Sequence, residues 1–275
     1  MHDSLAIYAI LLFLSAALSA ALGLYALRRK PRTAYTIAFG LMAACVAIWS
    51  VGYAMELLSP DGPAKVLWLK LEYVAISGTY PLLLIFLAYY TGWGERLPTR
   101  RLVALLVIPA FTALLALTDE AHGLIWKGYT LRTAGPLTLF VFQRGPGFWV
   151  FFAYSVAVLA ASAWLIARAY VESLSLRRRQ MGIIGAGVAL PVVAGAAYLL
   201  GISPIPGLNL APFTFTVSSA LFAFAAFRFR LLAPAPFEAP APPPGFGDAL
   251  LVLADGNRVQ HLNRAAERIL GWQAT

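Results

Sequence analysis

Long apolar runs recur along the whole chain, and their length predicts helices that cross a membrane. A spanning helix needs about 20 mostly apolar residues. Seven segments of the 275-residue chain meet this requirement. The predicted spans are residues 5–27, 34–58, 65–90, 102–118, 148–170, 180–200 and 209–230. The pattern therefore predicts an all-α membrane protein whose first domain, residues 1–232, is a seven-transmembrane helix bundle.

The segments between and after the spans carry two further patterns. Residues 129–132 and 137–142 alternate around Thr133-Ala-Gly-Pro136, which is typical of a β-hairpin, here in an extracellular loop. Residues 233–247 form a proline-rich linker. Residues 248–275 read as two strands joined by Asp255-Gly256-Asn257 and followed by a short helix, a partial α+β segment that cannot bury a core alone.

Basic side chains next to the spans predict the orientation of the chain, because Lys and Arg accumulate in cytoplasmic loops. Most of them fall on one predicted side of the bundle: Arg28, Arg29, Lys30, Arg32, Arg96, Arg100, Arg101, Arg168, Arg177, Arg178, Arg179, Arg228 and Arg230. The other side has Lys65, Lys70, Lys127, Arg132 and Arg144. We therefore predict an N-terminus outside the cell and a C-terminus in the cytoplasm. The net charge of +9 follows this distribution and does not indicate a nucleic-acid partner.

Composition narrows the class further. The chain is 60% hydrophobic and 12% charged, which excludes an ordinary soluble protein and implies the lipid bilayer as a partner. Cys45 is the only cysteine, so an intramolecular disulfide is impossible. The first apolar run is too long for the core of a signal peptide, so we interpret it as an uncleaved span. No cofactor and no metal site is predicted.

Charged side chains inside the predicted spans are the main candidates for a functional site. Glu56, Lys70 and Glu72 lie in the second and third spans, where a charge costs about 2.5–3.5 kcal/mol. One hypothesis is a structural Glu56–Lys70 ion pair, with Lys65 extending to the membrane surface. The other is a polar cavity that binds a small ligand, with Trp68 and Tyr73 as walls. The sequence does not choose between these two hypotheses, which are compatible.

Four further residues near the outer ends of the spans are weaker candidates. His122 and Trp126 lie close to Asp119 and Glu120, but one His and two carboxylates in a loop favour loop packing over a metal site. Arg144 and Trp149 flank the start of the fifth span. An aromatic belt at the membrane interface explains Trp149, and lining of the cavity mouth is the alternative.

Several motifs resemble the seven-helix N-terminal sensor region of bacterial membrane histidine kinases, which also precedes diguanylate cyclases. The motifs occur in the expected order at 49–56, 65–73, 118–126, 144–149, 178–180 and 227–232. Residues 251–271 resemble the start of a PAS domain. The resemblance implies a sensor in the bacterial cytoplasmic membrane that detects an unknown small molecule and signals through the seventh helix. It also implies a homodimer and a cytoplasmic kinase or cyclase output module, or a response regulator.

Two features depart from this family. The linker is rich in proline rather than short and helical, and the chain contains neither a phosphoacceptor-histidine helix nor ATP-binding glycine motifs. We therefore expect a receptor fragment or truncated receptor that is not itself an enzyme. A small-molecule transporter or channel is the alternative, although paired halves with interrupted helices are absent from the sequence.

Overall fold

The computed structural model describes residues 2–30, 32–94, 97–135, 137–172, 175–229, 232, 251–254, 258–262 and 264–271. They fall into two compact units, Met1–Ala233 and Pro234–Thr275. The predicted linker, residues 233–247, lies outside the described residues, as do the turn residues 255–257 and the predicted cap Asn263.

The described part of the first unit contains seven helices that are long and apolar enough to cross a membrane, which confirms the predicted bundle. Their bounds differ by a few residues from the predicted spans. The helices are α1 (His2–Arg28), α2 (Ala34–Leu58), α3 (Gly62–Tyr90), α4 (Thr99–Leu117), α5 (Pro146–Glu172), α6 (Ser175–Leu199) and α7 (Ala211–Arg228).

Side-chain caps explain where α2 and α3 begin. The Thr33 side chain accepts from the backbone N–H of Thr36, whose hydroxyl accepts from the Thr33 N–H, a reciprocal capping box. Asp61 accepts from the backbone N–H of Ala64 at 2.8 Å, so α3 begins three residues before the predicted start at residue 65. The apolar count located the span, whereas the cap fixed its first turn.

The packing order of the helices separates a buried interior from a lipid-facing exterior. Helix α2 packs against α1 and α3, and α7 packs against α1 and α6. Helix α4 packs on α3 and α5 and presents large side chains such as Phe111 outwards. Hydroxyl pairs join helices in the interior, for example Ser19 and Ser219 at 2.8 Å between α1 and α7.

A β-hairpin follows α4, as the sequence predicts. Strand β1 (Trp126–Ala134) pairs antiparallel with β2 (Leu137–Arg144), so both strands are longer than the predicted segments. Gly135, with φ of 60°, lies in the turn in a conformation that favours glycine. Leu137 and Leu139 are buried in a cluster with residues of α1, α2, α3 and α7, which seats the hairpin on one end of the bundle.

The second unit contains a smaller hairpin and a short helix among its described residues. Strand β3 (Leu251–Ala254) pairs antiparallel with β4 (Arg258–Leu262), with an irregularity in register between Val252 and Leu253. Helix α8 (Arg264–Leu270) follows, and Gly271 after it has φ of 65°. These elements agree with the predicted strand–strand–helix order, while the assignment to a PAS domain stays a prediction.

Candidate functional site

The interior of the bundle holds a cavity of about 510 Å³ beneath the hairpin. Six helices, α1, α2, α3, α5, α6 and α7, contribute to its lining together with both strands of the hairpin. Most of the lining is apolar, and the volume lies in the range of pockets that bind small molecules. Its polar and aromatic members near the hairpin include Trp49, Tyr53, Glu56, Glu72, Tyr73, Trp126, Arg144, Tyr198 and Asn209.

Two carboxyl groups form the most unusual part of this lining. Glu56 of α2 and Glu72 of α3 are only 4% and 3% exposed, and their carboxyl groups are close enough to interact electrostatically. A Cβ at Gly52, one turn before Glu56, would stand 2.6 Å from Cγ of Glu72. Glycine at this position therefore allows the two helices to approach closely enough to bring the carboxyl groups together.

Lys65 compensates part of the negative charge of this carboxyl pair. Its side chain is 1% exposed, and Nζ donates a hydrogen bond of 2.5 Å to the backbone carbonyl of Glu56. A buried ammonium group is stable only when it is paired and hydrogen-bonded. The prediction that Lys65 extends to the membrane surface is therefore wrong, because this lysine joins the first turn of α3 to the last turn of α2.

Lys70 lies on a different face of α3. Its Nζ forms an ion pair with Glu120 and donates to the carbonyl of Leu117 at 3.0 Å, which ties α3 to the end of α4. The predicted Glu56–Lys70 ion pair is therefore wrong. Outside the spans, the hydrogen bond from Lys70 lowers the pKa of Glu120 below its usual value.

Two buried polar atoms of the cavity lining have no hydrogen-bond partner among the described residues. They are Nε1 of Trp49, a donor, and Oε1 of Glu72, an acceptor. The ring of Trp49 packs edge-on against Phe215 of α7 at 5.0 Å, so packing fixes the indole although its N–H is unpaired. Each unpaired group costs about 1–3 kcal/mol, which a bound partner of the right polarity would remove.

The end of the cavity below the hairpin is framed by aromatic rings and one arginine. Tyr73 contacts Trp126 at 4.6 Å, and the hydroxyl of Tyr53 accepts from the backbone N–H of Asn209 at 2.9 Å. Arg144, the last residue of β2, lies 5.2 Å from the ring of Phe148 and within hydrogen-bonding reach of Tyr198. The described residues offer Arg144 no carboxylate within ion-pair distance.

Comparison with known families now assigns the fold. A family model described as the N-terminal 7TM region of histidine kinase matches residues 11–236. The chain belongs to this family. The match confirms the resemblance to histidine kinase sensor regions. Together with the seven apolar helices, it shows a multi-pass membrane module, and the family implies a kinase output module. None of the curated proteins matches the chain.

Within this 7TM region, the predicted site residues divide into two groups. Glu56, Glu72, Tyr73, Trp126 and Arg144 line the cavity. The remaining five predicted residues, Lys65, Trp68, Lys70, His122 and Trp149, are not among its described lining residues. Trp149 is 53% exposed on the outside of α5, where an aromatic belt accounts for it.

The loop that contains His122 is held by hydrogen bonds. The carboxylate of Asp119 accepts from the backbone N–H groups of Ile125 at 2.7 Å and Trp126 at 3.2 Å. His122 Nδ1 accepts from the N–H of Leu124 at 3.1 Å. Among the residues that the structure describes, no group of three His, Cys, Asp or Glu could hold a metal ion. These contacts agree with the loop-packing interpretation.

Sequence reasoning missed several polar and aromatic lining residues, among them Trp49, Tyr53, Tyr198 and Asn209. The first two had a signal, because Trp49, Tyr53 and Glu56 are spaced four and three residues apart and so share one face of a helix. Tyr198 and Asn209 had none. They reach the site from α6 and the loop before α7, which only the packing of the bundle brings beside α2.

Proposed function

We propose that this chain is a membrane sensory module that binds a small ligand in the cavity and relays binding through α7 to a cytoplasmic output region. The proposal rests above all on one observation: α7 is a wall of the cavity, through Phe215, Ser218, Ser219 and Phe222. A ligand that fills the cavity therefore contacts the helix that leads to the C-terminal part of the chain.

Hydrogen bonds of α7 beside the cavity support this relay. The Ser218 hydroxyl donates to the carbonyl of Gly187 in α6 at 2.7 Å, and Ser219 pairs with Ser19 of α1. The two serines thus connect α7 to its neighbours on both sides. A ligand that favours a different separation of α6 and α7 would change the equilibrium between two positions of α7.

A second polar network holds the far end of α7. The Tyr90 hydroxyl donates to Gln180 at 2.8 Å, and the Gln180 amide donates to the carbonyl of Phe229 at 2.7 Å. Arg177 donates to the carbonyl of Tyr90 at 3.0 Å. This network, defined here as the output clasp, joins α3, α6 and the residue after α7. Its geometry makes the position of Phe229 depend on helices that also line the cavity.

The orientation and assembly belong to the same proposal. The excess of Lys and Arg at the end of the bundle that carries the output clasp supports a cytoplasmic location for that end, in a bacterial inner membrane. The hairpin and the carboxyl pair would then face the outside. We further propose that the module acts as a homodimer and that residues 248–275 begin a PAS domain that receives the signal.

A cavity-filling substitution tests the proposal without knowledge of the ligand. A Cβ at Gly187 would lie 3.3 Å from the Phe222 ring, so Gly187→Leu fills the cavity and presses on α7. The matched control is Val193→Trp on the same helix, where the side chain is 66% exposed. With the whole chain fused to a histidine kinase output module, we expect Gly187→Leu to change autophosphorylation by about threefold or more and Val193→Trp to leave it unchanged.

Two results would contradict the proposal. One is unchanged autophosphorylation in Gly187→Leu at normal expression and membrane insertion, because the cavity would then not be coupled to α7. The other is substrate-dependent flux through liposomes that contain this chain alone, which would favour a transporter or channel.

A further inference from the structure

We propose that the cavity binds a lipophilic ligand that carries a protonated amine, a proposal that rests on the proposed sensory function. The amine binds to Glu72 and Glu56 at the hairpin end, and the apolar body of the ligand fills the cavity below. The inference names the chemical class of the ligand. It follows from the charge of the lining, from the unpaired atoms and from where along the helices the polar groups occur.

The charged side chains of the lining lie at one end of a mostly apolar cavity. Along α2, Glu56 is nearest the hairpin, and Trp49 lies seven residues or about 10 Å deeper. Below Trp49 most of the lining is apolar, as at Met42 and Phe39, and its serine hydroxyls such as Ser219 are hydrogen-bonded within the bundle. This arrangement suits an amphipathic molecule whose polar head stays near the hairpin.

The carboxyl pair favours a ligand whose polar group is a hydrogen-bond donor with a positive charge. Glu56 faces one buried cation, Lys65, whose hydrogen bond goes to the Glu56 backbone carbonyl. Oε1 of Glu72 has no partner among the described residues although its side chain is 3% exposed. Two adjacent carboxyl groups with one lysine leave an acceptor for one more N–H donor, and an ammonium group supplies both the donor and the charge.

Trp49 and Arg144 favour an acceptor elsewhere on the same ligand. The Trp49 N–H is buried and unpaired, and Arg144 lies at the hairpin end without a carboxylate partner among the described residues. An amine alone leaves the Trp49 N–H unsatisfied, whereas an amine that carries a nearby carbonyl or hydroxyl satisfies it. The minimal recognition element, however, is the amine at Glu72, because its acceptor is buried and has no partner among the described residues.

The test compares three probes that share one apolar chain. The full chain in nanodiscs of zwitterionic lipid is titrated with decylamine, decanol and decanoate, and binding is followed by tryptophan fluorescence against empty nanodiscs. We expect decylamine to bind about tenfold more tightly than decanol and decanoate to bind most weakly. Equal affinity of decylamine and decanol, or tightest binding of decanoate, would overturn the proposal.

Two variants locate the effect. Glu72→Gln keeps the shape of the side chain and is expected to remove the preference for decylamine while decanol binds as before. Glu172→Gln, at the far end of α5 and outside this cavity, is the matched control and should retain the preference. A decylamine preference that survives Glu72→Gln would refute the role of this carboxyl group. Where Glu72→Gln fails to fold by circular dichroism, Glu56→Gln takes its place.

These outcomes are separable from the failure of the sensory function. The Gly187→Leu test involves no amine, so a change of output in that variant together with no amine preference would reject the ligand class and retain the sensor.

Discussion

Replacement of Lys65 by methionine gives the most direct test of how the bundle tolerates its buried charges. Methionine keeps the length and most of the volume of the lysine stem, so little packing energy is lost. What disappears is the positive charge and the Nζ hydrogen bond to the carbonyl of Glu56, at a position that is 1% exposed. The change therefore isolates the polar contribution of this one side chain.

The expected loss of stability follows from burial. A hydrogen bond to a charged group contributes about 1.5–3 kcal/mol. Among the described residues no carboxylate lies within ion-pair distance of Lys65, so we expect Lys65→Met to lower the free energy of unfolding by about the same 1.5–3 kcal/mol. Denaturation in dodecylmaltoside micelles, followed by circular dichroism, measures this difference.

Lys70→Met is the matched control on the same helix. The partner of Lys70, the Glu120 carboxylate, is 66% exposed, and an exposed pair contributes little to stability because solvent screens it. A double variant, Lys65→Met with Glu56→Gln, should recover part of the loss because it also removes one of the acidic groups. A loss below about 1 kcal/mol in Lys65→Met would refute the view that the carboxyl pair depends on this lysine.

Three further predictions concern the surroundings of the cavity. Gly52→Ala should destabilise the bundle by about 1–3 kcal/mol in the same denaturation assay, because its Cβ would lie 2.6 Å from Cγ of Glu72. Asp119→Ala should speed amide hydrogen exchange at the start of β1, because two backbone N–H groups lose their acceptor. Since Lys70 lowers the pKa of Glu120, the stabilising contribution of this pair is present above the ordinary carboxyl pKa of 4.5 and is lost as the pH falls through the lowered value. In ¹³C NMR of the Glu120 carboxyl, Lys70→Met should therefore move the titration midpoint to higher pH.

The sequence was sufficient for the bundle and the hairpin because both depend on local patterns. Apolar length determined the seven spans, and the alternation around Gly135 indicated the two strands. The first and last residues of the helices were predicted less accurately, because the start of α3 depends on the cap at Asp61 rather than on hydropathy. Local signals therefore predicted the elements better than their limits.

Partners of the charged residues could not be predicted in the same way. The sequence placed Glu56, Lys70 and Glu72 near each other, but which cation meets Glu56 depends on the rotation of α3 about its axis. Lys65 and Glu72 are seven residues apart and share one face, which packs against α2. Lys70 lies on another face and meets the end of α4. The spacing was available in the sequence, whereas the face that contacts α2 was not.

This arrangement explains why a charged cluster can persist in so apolar a bundle. The groups lie near helix ends below the hairpin, where Lys65 donates to the Glu56 carbonyl in the last turn of α2, which also accepts from the backbone N–H of Ser59 at 3.3 Å. Oε1 of Glu72 and Nε1 of Trp49 nevertheless have no partner among the described residues. Since an unpaired buried polar group lowers stability, their presence in the wall of a cavity agrees with the proposal that a ligand binds there. Binding would then supply to the bundle the stabilisation that its own residues leave incomplete.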